Sequence, residues 1–247
     1  EPWAREKKGF WSEEGESWRQ KLRGPSGKYS DRVLNQETEK KFWQEYLTSK
    51  PKYSPDPYSI KIAEAVCSIF KDAKVESLLE LGPGWGNYTI LLAEVCQQLI
   101  CADASQAVLD YIQKIAEEHN LKNITTLWGE WEECNSPQYD GVFAYNCFYR
   151  TRAIEDFLMK IHEAGKKVCV IGMNSSPEQP YFHDFEQKLG LKVQYTRVDS
   201  QDLKRVLRSL GIVPNIEISL PNEREYVYDT FEELRAGACS KIIGAYD

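Results

Sequence analysis

The sequence is poor in the residues that build metal sites. Its three histidines, at 119, 162 and 183, are scattered, and its seven cysteines form no C-x-x-C pair and no zinc spacing. No metal is therefore expected. No apolar run approaches the ~20 residues of a membrane span, and the opening E-P-W-A-R-E-K-K holds no apolar signal region. No internal repeat is visible. Basic charge is in deficit, with a net charge of −7. This disfavours nucleic acid as a general partner, since such proteins carry a basic face, although a local basic patch stays open. Cys101 and Cys169 fall in apolar strand patterns and Cys67 on a helical face, so all three read as core thiols of a reduced compartment. The expectation is a soluble, cytoplasmic protein without a membrane partner.

What is present is a core. Hydrophobic residues make up 42% of 247 positions, enough for one large domain or a domain with extensions. The chain is organised around residues 75–87, V-E-S-L-L-E-L-G-P-G-W-G-N. An apolar run at 77–81 reads as a buried strand. It carries an acid, Glu80, and opens into Gly82, Gly84 and Gly86. A helical pattern follows, with Tyr88, Leu91, Leu92 and Val95 on one face. Strand, glycine turn and helix begin a nucleotide-binding βαβ unit. The glycines let the backbone turn sharply and approach a ligand, and the helix start presents unpaired N–H groups. A dinucleotide site wants G-x-G-x-x-G, but here the third position is Asn87.

With an acid two residues ahead of the first glycine, the stretch resembles motif I of the class I S-adenosylmethionine (SAM) methyltransferases. The resemblance covers residues 58–171. It implies an α/β, Rossmann-like fold with a seven-stranded, mostly parallel sheet flanked by helices, to which this chain's own pattern adds an N-terminal helical extension and an insertion after the fifth strand. It implies SAM as cofactor and S-adenosyl-L-homocysteine as product. Glu80, Gly82, Gly84 and Gly86 would form the turn beside the methionine end of SAM.

The second strand, 98–102, ends in Asp103, the position where nucleotide folds hydrogen-bond ribose hydroxyls; Ala104 joins it in the cofactor set. Ser105 reads as the cap of a helix over 106–119. After the third strand, 124–128, the family pattern matches Glu130 to the adenine amine and Trp131 to the adenine face. The fourth strand, 139–145, runs into N-C-F-Y-R, the motif IV position beside the transferable methyl. Asn146 and Tyr149 are the candidates for cofactor contact, substrate orientation and catalysis. Amino methyltransferases of nucleic acids and some proteins carry N-P-P-[YF] there, and both prolines are missing here. The remaining shape resembles the small-molecule branch. Arg150 could pair with an acidic substrate or be held by its own helix.

Residues 1–30 carry Trp3, Trp11 and Trp18, which suggest an arm lying on the domain, or else a lid or an arm exchanged within a homodimer. Residues 31–49 read as one helix by period, followed by a proline-broken stretch in which Asp56 caps the next helix. Tyr46, Tyr53 and Tyr58 are candidate substrate-lining residues or ordinary packing aromatics. Beyond the fifth strand, 174–211 forms a helical insertion, its second helix capped by Ser200. It holds His183, a candidate general base by its near-neutral intrinsic pKa. Residues 215–220 and 225–228 alternate like a hairpin, and 240–247 read as a last strand. The expected division is an arm and helical cap at 1–56 and a SAM-binding domain at 57–247.

The leading expectation is methyl transfer from SAM to a small-molecule acceptor. The alternatives are an RNA or protein acceptor, or a non-catalytic SAM-binding partner subunit. An NAD-linked oxidoreductase is disfavoured by Asn87.

Overall fold

The computed structural model describes residues 11–24, 26–49, 52–134, 137–175, 179–195, 197–221 and 226–244. Three helices, α1 (Glu13–Leu22), α2 (Asp31–Leu34) and α3 (Gln36–Thr48), precede α4 (Pro57–Asp72). A wound unit follows: β1 (Ser77–Leu81), α5 (Thr89–Ala93), β2 (Gln98–Asp103), α6 (Gln106–Glu118), β3 (Ile124–Trp128), β4 (Tyr139–Tyr145), α7 (Ile154–Ala164) and β5 (Gly165–Gly172). The chain ends with α8 (Pro180–Leu189), β6 (Lys192–Val193), α9 (Ser200–Ser209), α10 (Phe231–Cys239) and β7 (Ile242–Ile243).

The main sheet runs β3-β2-β1-β4-β5, every pair parallel. β1 and β4 are near-continuous apolar runs because both of their faces are covered. One face, with Leu78, Leu99 and Phe143, packs under α4, α5 and α6 through Phe70, Leu92 and Ile112. The other, with Leu79, Ile100 and Val142, packs under α1, α7 and α9 through Trp18, Leu158 and Val206. Strand order reverses between β1 and β4, which opens a crevice at their C-terminal ends.

The sheet has five strands, not the seven expected. β6 and β7 pair with one another, antiparallel, as a separate two-stranded sheet. Among the described residues of the expected hairpin, 215–221 and 226–228 form no strand, and 222–225 lie outside the described residues. The alternating segment leaves Ile216 67% and Ile218 53% exposed, so no layer rewards it for pairing. The expected helix over 31–49 is broken at Asn35, whose Oδ1 accepts from the Glu37 and Thr38 N–H groups at 2.9 and 3.4 Å and so starts α3 afresh. Asp199, not Ser200, caps α9, through a reciprocal capping box with Asp202.

The N-terminal helices dock on both sides of the crevice. Trp18 is fully buried, and its Nε1 donates to the Thr151 carbonyl at 2.8 Å. Arg19 pairs with Glu155 of α7 at 2.8 Å, both side chains buried, and Lys21 pairs with Asp202 of α9 at 2.7 Å. Trp11 is 54% exposed with Arg19 stacked on its ring, and Trp3 lies outside the described residues. α3 packs instead on α6. The chain between α1 and α3 therefore crosses the strand ends. Among the described residues, no helix is long and apolar enough to cross a membrane, and no group of His, Cys, Asp and Glu could hold a metal ion.

Candidate functional site

A cavity of about 1170 Å³ occupies the crevice. Its floor is the exits of β1 to β4 and its roof is α2 and α3. The β1 exit is shaped by glycine. Gly82 has φ +63°, and a Cβ there would lie 2.6 Å from the Cβ of Cys147, so the β1 and β4 exits touch. Gly84 lies under the Trp43 ring of α3. Gly86 (φ +86°) faces α6 instead, where a Cβ would meet Ile115 at 2.6 Å, and it does not line the cavity.

Glu80 was expected on the cofactor and is not on the cavity wall. It is buried beneath the turn, where its Oε2 accepts from the Thr89 hydroxyl at 2.8 Å and anchors the start of α5. Burial pushes its carboxyl up to about 7, against the hydrogen bonds from Thr89 and Cys101. Asn87, read from the sequence only as a missing glycine, has its own task. Its Oδ1 accepts from the Asp56 N–H at 2.8 Å and its Nδ2 donates to Asp56 Oδ2 at 3.0 Å. This pair seats the start of α4 against the glycine turn. The Asp56 side chain makes no cap to α4, contrary to the expectation, because it is turned to Asn87.

Asp103 and Ala104 line the cavity beside Gly129 and Glu130. Asp103 Oδ1 accepts from the Ser105 N–H at 2.8 Å, and no ion pair joins this acid among the described residues. Burial pushes its carboxyl up to about 7, opposed by the Ser105 bond, with Glu39 and Glu130 nearby adding to the rise. Burial also raises Glu130, with Arg150 opposing. Trp131 lines the cavity, but its ring is 6% exposed and carries the Lys160 ammonium 4.6 Å from its centroid, so one π-face is already taken. Ser105, the expected cap, makes no side-chain cap bond to α6.

At the β4 exit, Asn146 sits at φ +52°, a left-handed conformation uncommon outside glycine. Its N–H donates to the Gly172 carbonyl at 3.0 Å, and its Oδ1 accepts from the Asn174 N–H at 2.9 Å. The side-chain oxygen thus ties β4 to β5. Tyr149 is half-buried in the wall, its hydroxyl pushed up to about 12 mainly by desolvation. Arg150 lines the cavity but is held by the protein: its Nε donates to the Arg32 carbonyl, and its Nη1 lies 3.5 Å from Glu39 Oε1.

Glu39 is the functional residue the sequence reading missed. It is 5% exposed and gathers Arg32 (2.9 Å), Arg150 and the Trp43 Nε1–H (2.9 Å), fastening the roof to the β4 exit. The only sequence signal is the one-turn spacing of Glu39 and Trp43; Arg150 lies too far along the chain to be paired by pattern. Tyr46 and Tyr58 line the cavity; Tyr53 does not. Tyr53 stands behind the turn, donating to the Gly86 carbonyl at 3.0 Å with its ring edge on His119. His183, the candidate base, is exposed on α8 and off the cavity. Among the described residues, no histidine lines this cavity.

The family model for a methyltransferase domain matches residues 78–168. No curated protein matches the chain by sequence. Among solved structures, the chain is similar to magnesium protoporphyrin IX methyltransferase (ChlM) from Synechocystis PCC 6803 with bound SAH. The TM-score is 0.53 and the identity 12%, over 79% of this chain and 89% of that one. It is also similar to the N-methyltransferase NodS from Bradyrhizobium japonicum WM9 in complex with S-adenosyl-L-homocysteine, with a TM-score of 0.52 and 11% identity over 69% of this chain and 85% of that one. At such identities the likeness is one of fold.

Proposed function

We propose that this chain, whose residues 78–168 are a methyltransferase domain, transfers a methyl group from SAM to a small-molecule acceptor. The observation that carries the cofactor assignment is Asp103. It is a half-buried carboxylate, without an ion pair among the described residues, facing the switch-point cavity beside the Gly82–Gly84 turn. Such a group needs donors, and the two hydroxyls of a ribose supply them without bringing a charge that must itself be neutralised. Glu130 would accept from the adenine amine, and Trp131 would pack on the base. Gly82 and Gly84 would let the backbone lie against the methionine end. Both solved relatives hold S-adenosylhomocysteine in their own structures.

SAM, when bound, supplies a methyl group on a sulfonium whose thioether is a good leaving group. The chain's part is proximity, alignment and exclusion of water. The Arg32–Glu39–Arg150 cluster holds α2 and α3 over the cavity. Asn146, locked to Asn174, sets the edge along which an acceptor approaches. The cavity exceeds the about 300–1,000 Å³ of a typical ligand site, which leaves room for cofactor and acceptor together.

Calorimetric titration with SAM, S-adenosylhomocysteine and NAD tests the reading. Micromolar binding of the first two and none of NAD is expected. Absence of SAM and homocysteine-product binding overturns it.

A further inference from the structure

The charges on the cavity wall are unequally committed. Arg19 is taken by Glu155, and Arg32 and Arg150 by Glu39, whereas Arg152, on the exposed rim, rests over the Tyr29 ring. Asp56 is not taken. Its carboxylate accepts from the neutral Asn87 amide, and no ion pair joins it among the described residues.

Asp56 lies on the cavity wall with three tyrosines, Tyr58 at the start of α4, Tyr88 after the glycine turn and Tyr145 at the end of β4. The Tyr88 and Tyr145 ring centroids are 5.4 Å apart. Burial first, then Tyr145, Tyr58 and Asp56 among its neighbours, raises the Tyr88 hydroxyl. The four side chains therefore share one stretch of wall, and burial keeps the Tyr88 and Tyr145 phenols neutral. Neutral aromatic faces around one carboxylate attract a cation through the ring quadrupoles and the net charge together.

We propose that the methyl acceptor is a basic amine, its nitrogen seated against Tyr58, Tyr88 and Tyr145 with Asp56 as counter-ion. The assignment rests on the methyltransferase reading. The amine reaches the site as an ammonium ion and loses one proton to water. Its lone pair then forms the N–C bond as the C–S bond breaks, and that bond's electron pair leaves on the thioether sulfur. The product is again an ammonium ion, which the same wall holds until release.

The test is a titration of tetramethylammonium, with acetate as the anionic counterpart, read by intrinsic fluorescence on the free protein and on its S-adenosylhomocysteine complex. Saturable millimolar binding of tetramethylammonium and none of acetate is expected. Asp56→Asn, which keeps the size and the Asn87 partner, should weaken the cation about tenfold, as loss of one charge contact does. Tyr58→Leu should weaken it several-fold and stands in if D56N no longer melts cooperatively. Saturable acetate without tetramethylammonium binding overturns the proposal. So does a D56N variant that weakens SAM and leaves tetramethylammonium unchanged, which would give the wall to the sulfonium alone. Failure of S-adenosylhomocysteine to bind sinks the methyltransferase reading separately, since the free protein still reports on the cation wall.

Discussion

Asp56 and Asn87 hold one another through two hydrogen bonds, 2.8 Å from the Asp56 N–H to Asn87 Oδ1 and 3.0 Å from Asn87 Nδ2 to Asp56 Oδ2. The residue that breaks the dinucleotide glycine pattern is thus the one that clamps α4 to the turn. Asn87→Ala should cost about 1–3 kcal/mol, the range for stranding a partly buried polar partner. The check is chemical denaturation, with a lowered midpoint and an unchanged slope.

Gly82 admits no side chain. Its φ is +63°, and a Cβ would come 2.6 Å from Cys147 Cβ. Gly82→Ala should lower stability by about 1–3 kcal/mol from backbone strain alone, and SAM binding should fall with it. Pairing it with Cys147→Gly removes the clash but not the positive φ, so the double variant should recover only part of the loss in both measurements.

Asp103 should make SAM affinity depend on pH. Burial holds its carboxyl at about 7 in the free protein, and donors from a ribose favour the ionised form. Binding therefore releases a proton below pH 7, and affinity should rise about tenfold per pH unit up to that point and level off above it. Calorimetry in buffers of different ionisation heat would count the proton. Asp103→Asn should abolish the pH dependence and weaken SAM about 10- to 100-fold, the range for a charged hydrogen bond.

The free protein should lose stability as pH rises. Glu80 and Asp103 both carry folded values near 7, above the ordinary carboxylate range. The folded state therefore keeps protons that the unfolded chain gives up. The stabilisation is complete below about pH 4 and is lost as pH climbs to about 7. Glu80→Gln should raise the melting temperature at pH 8 and leave it little changed at pH 5.

The Arg19–Glu155 pair fastens the N-terminal arm. Both side chains are buried, 4% and 6% exposed. Glu155→Ala leaves the buried guanidinium only the half-exposed Glu16, 3.1 Å from its Nε, as acid partner, and should cost about 3 kcal/mol, the low end for breaking a buried pair. Adding Arg19→Met should return most of that loss, because the uncompensated charge goes with it. Denaturation midpoints of the three variants decide the matter.

The strands of the wound unit were legible because local pattern and burial agree there. Residues 77–81, 124–128 and 139–145 are runs whose composition allows little else, and each forms as read. The places of the glycine turn and of Asp103 were legible for the same reason, since neighbours in the chain set them. Periodicity misread residues 31–49, because it cannot see that Asn35 turns its side chain to the following N–H groups. It also could not tell that 215–220, apolar on alternate residues, finds no layer to cover it.

The sequence by itself determined the βαβ frame, the place of the switch-point turn and the acid at the end of β2, all products of short-range sterics and hydrophobic period. The tertiary structure decided which acids face the cavity and which lie under it. It moved Glu80 beneath the turn and brought Glu39 to Arg150. It left His183 outside and Asp56 among tyrosines. The reason is physical: burial and charge pairing depend on distances between residues far apart in the chain, and those distances exist only once the layers have packed.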